Sequence, residues 1–117
     1  FAEALHVNAS YITAVANDYG YEQTFARMVQ AAGRKGDILI GISTSGNSPN
    51  VVNAIEKANE IGLKTIGFTG KDGGKMNTIC DIMIKIPSDD TPRIQEAHIL
   101  IGHIICQLIE EELFPDA

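Results

Sequence analysis

The stretch Asp37-Ile38-Leu39-Ile40-Gly41-Ile42-Ser43-Thr44-Ser45-Gly46-Asn47-Ser48-Pro49 constrains the fold more than any other part of the chain. Residues 38–42 are apolar without alternation and rich in branched side chains. A short run of this kind reads as a strand buried on both faces, as in a parallel sheet. The residues after it are small and polar, and Pro49 suits the first position of a helix with Ser48 as N-cap. Strand, hydroxyl-rich loop and helix start therefore follow one another directly.

The same rhythm continues downstream. Val51, Val52, Ile55, Ala58 and Ile61 give the helix after Pro49 one apolar face, and Gly62 ends it. Lys64 to Thr69 reads as a second strand, Gly70 to Lys75 as a glycine-rich turn, and Asp81 to Ile86 as a third strand closed by Pro87. Asp89-Asp90-Thr91-Pro92 opens a final helix that runs to about Leu113. Upstream, Phe25, Met28, Val29 and Ala32 place a helix over Tyr21 to Ala32, stopped by Gly33 and Gly36. The fold class is α/β, with an open, mostly parallel sheet flanked by helices. Neither an internal repeat nor a linker interrupts it, and residues 1–117 read as a single domain.

The apolar fraction of 44% supplies a core, and the absence of low-complexity runs argues against disorder. A net charge of -6 leaves no basic face for nucleic acid. No run reaches the roughly 18 apolar residues of a membrane span, and no signal peptide is visible. Cys80 and Cys106 are isolated and lie in apolar surroundings, so both are expected to be buried thiols in a reducing, cytoplasmic setting. The first residues begin inside what looks like a helix, so further sequence is expected upstream.

The loop Gly41 to Ser48 carries the strongest chemical signal. In an open α/β sheet ligands bind at the carboxyl ends of strands. A helix N-terminus there offers unpaired N–H groups and partial positive charge, which suit a phosphate. Ser43, Thr44, Ser45 and Ser48 add hydroxyl donors, and Gly46 permits close backbone approach. Without the Gly-Lys-Ser/Thr of a nucleotide-binding loop or a GxGxxG pattern, the loop points to a sugar phosphate. The plainer alternative is an ordinary strand-to-helix loop.

Gln95, Glu96, His98 and His103 are the polar exceptions in the strongly apolar last helix. Glu96 and His103 are about two turns apart and share a line along it, with Gln95 near the same face. A polar stripe in a buried helix needs partners or a function. A histidine there serves either as an acid–base group or as a hydrogen-bonded interface residue. Because the helix is apolar on more than one face, a homo-oligomer, and specifically a tetramer, is expected.

Several motifs together resemble the SIS domains, and among them the sedoheptulose-7-phosphate (phosphoheptose) isomerases. These are the Gly41–Ser48 loop, Ala16-Asn17-Asp18-Tyr19-Gly20-Tyr21, Gly33 to Asp37, Thr69 to Met76, and Arg93-Ile94-Gln95-Glu96-Ala97-His98. The resemblance implies interconversion of sedoheptulose 7-phosphate and a mannoheptose 7-phosphate through an enediol, toward lipopolysaccharide or related glycans. It implies that His103 is a catalytic acid–base group and that Gln95 contacts substrate or, in zinc-containing members, the metal. A zinc ion held by Gln95, His103 and upstream ligands is thus allowed by resemblance, with no organic cofactor. The same resemblance places Asn17 and Asp18 beside the sugar hydroxyls, although a helix end with Gly20 after it accounts for them equally. It also sets the 70–75 turn near the active cleft. His98 and His6 read as structural.

The match departs from the family in three places. The family's upstream Gly-Asn-Gly-Gly-Ser loop is not in this sequence. Phe1-Ala2-Glu3 resembles the helix carrying a catalytic glutamate, yet Glu3 adjoins Ala4-Leu5, where the family has a longer segment. Glu3 is therefore that glutamate or its neighbour, with an omitted segment expected beside it. Thr91-Pro92 stands where some isomerases carry an acidic residue, for which Asp89 or Asp90 could substitute. A rival reading is a non-enzymatic SIS-domain protein that binds the replication initiator. Histidine at position 103 favours the enzyme.

Overall fold

Ile38–Ile42 forms β1, Lys64–Thr69 forms β2 and Ile82–Lys85 forms β3, in a computed structural model that describes residues 1–115. The three strands are parallel in the order β1-β2-β3. Gly41 lies opposite Gly67, and Gly67 opposite Met83. The helices are α1 (Ala9–Tyr19), α2 (Thr24–Ala32), α3 (Pro49–Ile61) and α4 (Thr91–Leu113). This is the open parallel α/β architecture that the sequence pattern implies.

The link from β1 through α3 to β2 follows its local signals closely. Pro49 opens α3, where its missing N–H costs nothing. Gly62 closes it in the left-handed conformation, φ 94°. Its N–H reaches Asn59 O at 3.2 Å while Leu63 N–H reaches Ala58 O at 2.9 Å, the paired bonds of a Schellman end. Three boundaries differ from the sequence reading. Residues 21–23 form a 3₁₀ turn before α2, and the Thr24 hydroxyl donates back to Tyr21 O at 2.8 Å. β3 starts after Asp81, whose backbone N–H donates to the Thr65 hydroxyl at 3.0 Å rather than to a ladder carbonyl, while its carboxylate accepts the Thr65 N–H at 2.9 Å. Gly74–Thr78 winds into a second 3₁₀ turn just past the expected glycine-rich bend.

One core cluster joins Val29 of α2 to Ala54 and Ala58 of α3 and to Leu63, with Leu5 packed against it. A second joins Val52 and Ile55 to Met76 beneath the sheet. Side chains alternate across a strand, so Leu39 and Gly41 face α3 while Ile38, Ile40 and Ile42 face the other way. That second face of β1 is open, with Ile38 63% exposed, contrary to the expectation of a strand buried on both sides. β1 is an edge strand, and the helix on that face covers β2 instead. There the His98 ring of α4 packs edge-on against Phe68, centroids 5.5 Å apart.

α4 touches the rest of the chain through one narrow stripe. Ile94 and His98 are its buried residues, while Ile99, Leu100, Ile104, Leu108 and Leu113 are exposed. Cys106 is exposed as well and Cys80 is half-buried, so the expectation of two buried thiols is corrected for both. Cys106 lies beyond the stretch of α4 that meets the sheet, and Cys80 sits at the rim before β3. Burial, then the neighbouring Asp81 carboxylate, pushes the Cys80 thiol above its ordinary value. Phe1 to Glu3 form no helix; Val7 N–H closes a turn on Ala4 O at 3.3 Å. No helix among the described residues is long and apolar enough to cross a membrane.

Candidate functional site

The loop from Ser43 to Ser48 leaves the carboxyl end of β1 and turns straight into α3. Its hydroxyls converge. Ser43 Oγ, on a residue only 6% exposed, lies 2.8 Å from Ser48 Oγ and 3.5 Å from Ser45 Oγ. Ser48 occupies the N-cap position, yet its side chain makes no capping bond. The Thr44, Ser45, Ser48 and Asn50 N–H groups have no hydrogen-bond partner among the described residues. Uncapped amides at a helix start, with serine hydroxyls beside them, form a cradle that favours an anion.

A second segment fixes the loop's shape. Asn47 accepts the Lys75 N–H at 2.9 Å on Oδ1 and donates through Nδ2 to Ser45 O at 3.2 Å. Met76 N–H donates to Gly46 O at 3.1 Å. Gly46 adopts φ 67°, and a Cβ there would overlap the Gly73 carbonyl. The 73–76 segment thus docks on the loop, against the same strand ends. Asn47 was missed as a clamp by sequence reasoning; its place between Gly46 and Ser48 in a hydroxyl-rich loop was the only signal. Lys71 and Lys75 remain exposed, and Lys71 pairs with Asp89 at 3.6 Å.

β2 supports the other side. Gly70 N–H donates to Thr44 O at 2.9 Å. A Cβ on Gly70 would meet Ile94 Cδ1 at 2.7 Å, Thr44 O at 2.8 Å and Ser88 O at 3.2 Å. Loop, β2 and the first turns of α4 therefore meet at Gly70.

The remaining candidates are not gathered there. Asn17 Nδ2 donates to Asp18 Oδ1 at 2.9 Å, and both are exposed in the last turn of α1. Gly20, at φ 95°, ends that helix with its N–H on Ala16 O. Glu3 is exposed in the irregular N-terminal segment. Gln95 and His103 are exposed on α4. At about 100° per residue, His103 points roughly opposite Ile94, away from the chain's own loop. Glu96 lies on the His103 line and pairs with Arg93. Among the described residues, no three His, Cys, Asp or Glu side chains cluster as a metal site. One chain thus assembles a phosphate-type cradle and leaves the acid–base candidates facing outward.

The parallel sheet with a hydroxyl-lined, anion-type cradle at its strand ends places the chain among the open α/β proteins that build their sites at the carboxyl ends of strands. The SIS domain family matches residues 2–70. The chain belongs to the SIS domain family. It is 58% identical over 113 residues to a phosphoheptose isomerase of Clostridium acetobutylicum, covering 97% of this chain and 58% of that protein. It is 61% identical over 110 residues to one of Aliarcobacter butzleri, covering 94% of this chain and 58% of that protein. Among solved structures, phosphoheptose isomerase GmhA from Neisseria gonorrhoeae superposes with a TM-score of 0.91 at 46% identity, over 92% of this chain and 61% of that one. The chain thus spans about 58% of the curated relatives' length.

Proposed function

We propose that this chain is the sugar-phosphate-binding portion of a phosphoheptose isomerase, which interconverts sedoheptulose 7-phosphate and D-glycero-D-manno-heptose 7-phosphate. The observation that carries this reading is the uncapped, hydroxyl-lined loop 43–48, in a chain about 60% identical to phosphoheptose isomerases. Residues 1–117 form part of one SIS-type domain. The enzyme works in the cytoplasm, in the supply of heptose for lipopolysaccharide or related glycans.

In this reading Ser43, Thr44, Ser45 and Ser48 hold the phosphate, and Asn17, Asp18 and Gln95 contact the sugar. Aldose–ketose isomerisation removes a proton from the carbon beside the carbonyl and returns it to the adjacent carbon, through an enediol. His103 takes and returns that proton, with Glu3 or its neighbour as the opposing acid–base group. Because His103 faces away from its own loop, these parts come together only in a larger assembly. The exposed apolar rows of α4 and β1 support a homotetramer as that assembly.

Zinc fits only in part. Gln95 and His103 lie on one helix, about 12 Å apart along its axis and roughly 80° around it. With zinc–ligand bonds of about 2.0–2.2 Å, the two could not reach one ion from the same helix, so they would hold zinc only as donors from different copies of the chain, together with further ligands, since zinc sites use three or four protein ligands. Bound zinc supplies Lewis-acid polarisation of a carbonyl oxygen. The test of the whole reading is an assay of full-length protein with sedoheptulose 7-phosphate. A folded protein that leaves this sugar unchanged overturns the proposal.

A further inference from the structure

His98 is buried in α4, with 5% of its surface exposed. Its Nε2 lies 3.0 Å from the carbonyl oxygen of Thr69, a residue with no exposed surface. A carbonyl only accepts, so Nε2 carries the proton and donates. The other ring nitrogen, Nδ1, is buried without a partner among the described residues. One polar contact of this ring is therefore made, and it reaches from helix to sheet.

The atoms on either side give that contact its meaning. Thr69 is the last residue of β2, and the next residue, Gly70, donates its N–H to Thr44 O in the phosphate-type loop. Gly70 has no room for a side chain because Ile94 of α4, Thr44 O and Ser88 O crowd it. The path from helix to loop is thus His98 to Thr69 to Gly70 to Thr44. No other side chain of α4 hydrogen-bonds to the sheet or the loop among the described residues. Ile94 and His98 are the only buried residues of this helix, so its placement rests on few groups.

We infer that His98 is a positioning residue: its Nε2–H bond to Thr69 sets α4, and with it Gln95 and His103, relative to the phosphate-binding loop. This inference rests on the isomerase reading above for its kinetic consequence. The Thr69 carbonyl also accepts the Ile86 N–H at 3.0 Å and stays paired without the histidine, so losing the bond removes the directional contact between α4 and β2 and leaves the helix held there by apolar packing alone, free to shift. A shift of about 1 Å in a group that carries chemistry can lower turnover about 100-fold. The phosphate cradle belongs to β1 and α3 and stays in place. The loss therefore falls on kcat rather than on KM.

Full-length protein is compared with His98→Phe and His98→Gln. Phenylalanine keeps the ring against Phe68 and removes the donor, whereas glutamine returns an N–H near the Nε2 position. The expected result is a fall in kcat of about 10-fold or more for the Phe variant, with KM for sedoheptulose 7-phosphate within about threefold of wild type. The Gln variant recovers most of kcat. Equal losses in both variants, or a Phe variant with wild-type kcat, overturn the inference. A second readout does not need turnover. Nitrogen-15 spectra of the histidine rings should show His98 protonated at Nε2 and bare at Nδ1, and inorganic phosphate should move that signal through Gly70 and Thr44. A signal of the opposite tautomer, or one unmoved by saturating phosphate, also overturns it. If wild-type protein lacks isomerase activity, the isomerase reading fails, and the positioning role stands or falls on the phosphate-induced shift.

Discussion

The Ser48 hydroxyl lies 2.8 Å from the Ser43 hydroxyl and makes no capping bond to α3, whose Val51 N–H is taken by Asn50 Oδ1 at 2.9 Å instead. Serine at an N-cap ordinarily satisfies a backbone donor of the first turn. Here Ser48 gives up that role and joins a hydroxyl cluster beside free amides. An anion bound there would take up the free Ser48 and Asn50 N–H groups at the positive end of the helix. Replacing Ser45 and Ser48 together with alanine removes two donors to a remote group of the substrate. Hydrogen bonds to charged groups contribute about 1.5–3 kcal/mol each, so KM should rise about 10-fold or more while kcat changes less. Unchanged affinity for sugar phosphate in the double variant would exclude the loop as the binding site.

Gly46→Ala should damage the same loop by another route. The position has φ 67°, and an added Cβ overlaps the Gly73 carbonyl. The left-handed conformation alone costs an L-residue about 1–2 kcal/mol, and the overlap pushes the 73–76 segment away. The expected outcome is a destabilisation of at least about 2 kcal/mol, read from the urea midpoint at constant slope, with weaker phosphate binding. A variant as stable as wild type would mean that the 73–76 segment does not dock as described.

Acid sensitivity should arise at the opposite end of the sheet. Asp81 accepts Thr65 N–H at 2.9 Å, and this backbone bond, followed by Lys64 at 3.9 Å, holds its carboxyl below the ordinary range. The folded form thus binds the proton less readily than the unfolded chain. The contribution to stability is complete above the ordinary aspartate value of about 3.9 and is lost as pH falls through the lowered folded value. Asp81→Asn keeps an acceptor but cannot ionise, so its stability should fall less steeply below about pH 4. Identical acid limbs in the two proteins would remove Asp81 from this role.

How much of this was legible in the chain can be judged element by element. The bounds of β1 and α3 were readable because an unbroken apolar run, Pro49 and Gly62 each act locally. The single helix expected over 21–32 divides at Thr24, whose buried hydroxyl bonds back to Tyr21, a local side-chain bond that periodicity does not record. The loop 43–48 was legible as an anion-type cradle because residue types and position coincide. Asn47 as a clamp and His98 as a tether were not, since each depends on a partner 28 or 29 residues away. The spacing of Glu96 and His103 placed them on one line of α4, but helical angles alone do not say which side the sheet covers.

Self-association is expected from that outward side. Ile99, Leu100, Ile104 and Leu108 are exposed on α4, as are Ile38, Ile40 and Ile42 on β1. Contiguous exposed apolar rows of this kind mark surfaces at which proteins associate. Light scattering of full-length protein at micromolar concentration should report a tetramer. A monomer would contradict both the assembly and the joining of His103 to a phosphate loop.

His103 itself provides the sharpest test of the chemistry. It is exposed on α4, about two turns beyond Glu96 and opposite the stripe by which the helix meets the sheet. Nothing in the single chain requires an imidazole there: it makes no hydrogen bond among the described residues and fills no core. A role in folding therefore predicts little effect of substitution, whereas proton transfer predicts a large one. His103→Gln in full-length protein should preserve the fold, the oligomer and binding of sugar phosphate, because the cradle of Ser43, Ser45 and Ser48 is untouched. Turnover should fall by about 10²-fold or more, the usual scale for a general acid–base group. Glutamine can still hydrogen-bond but cannot accept and return the proton at the substrate carbon. Single-turnover measurements at saturating sugar phosphate separate this loss from one of binding. A folded variant that interconverts the two heptose phosphates at near wild-type rate would assign the proton transfer elsewhere and leave His103 as an interface residue.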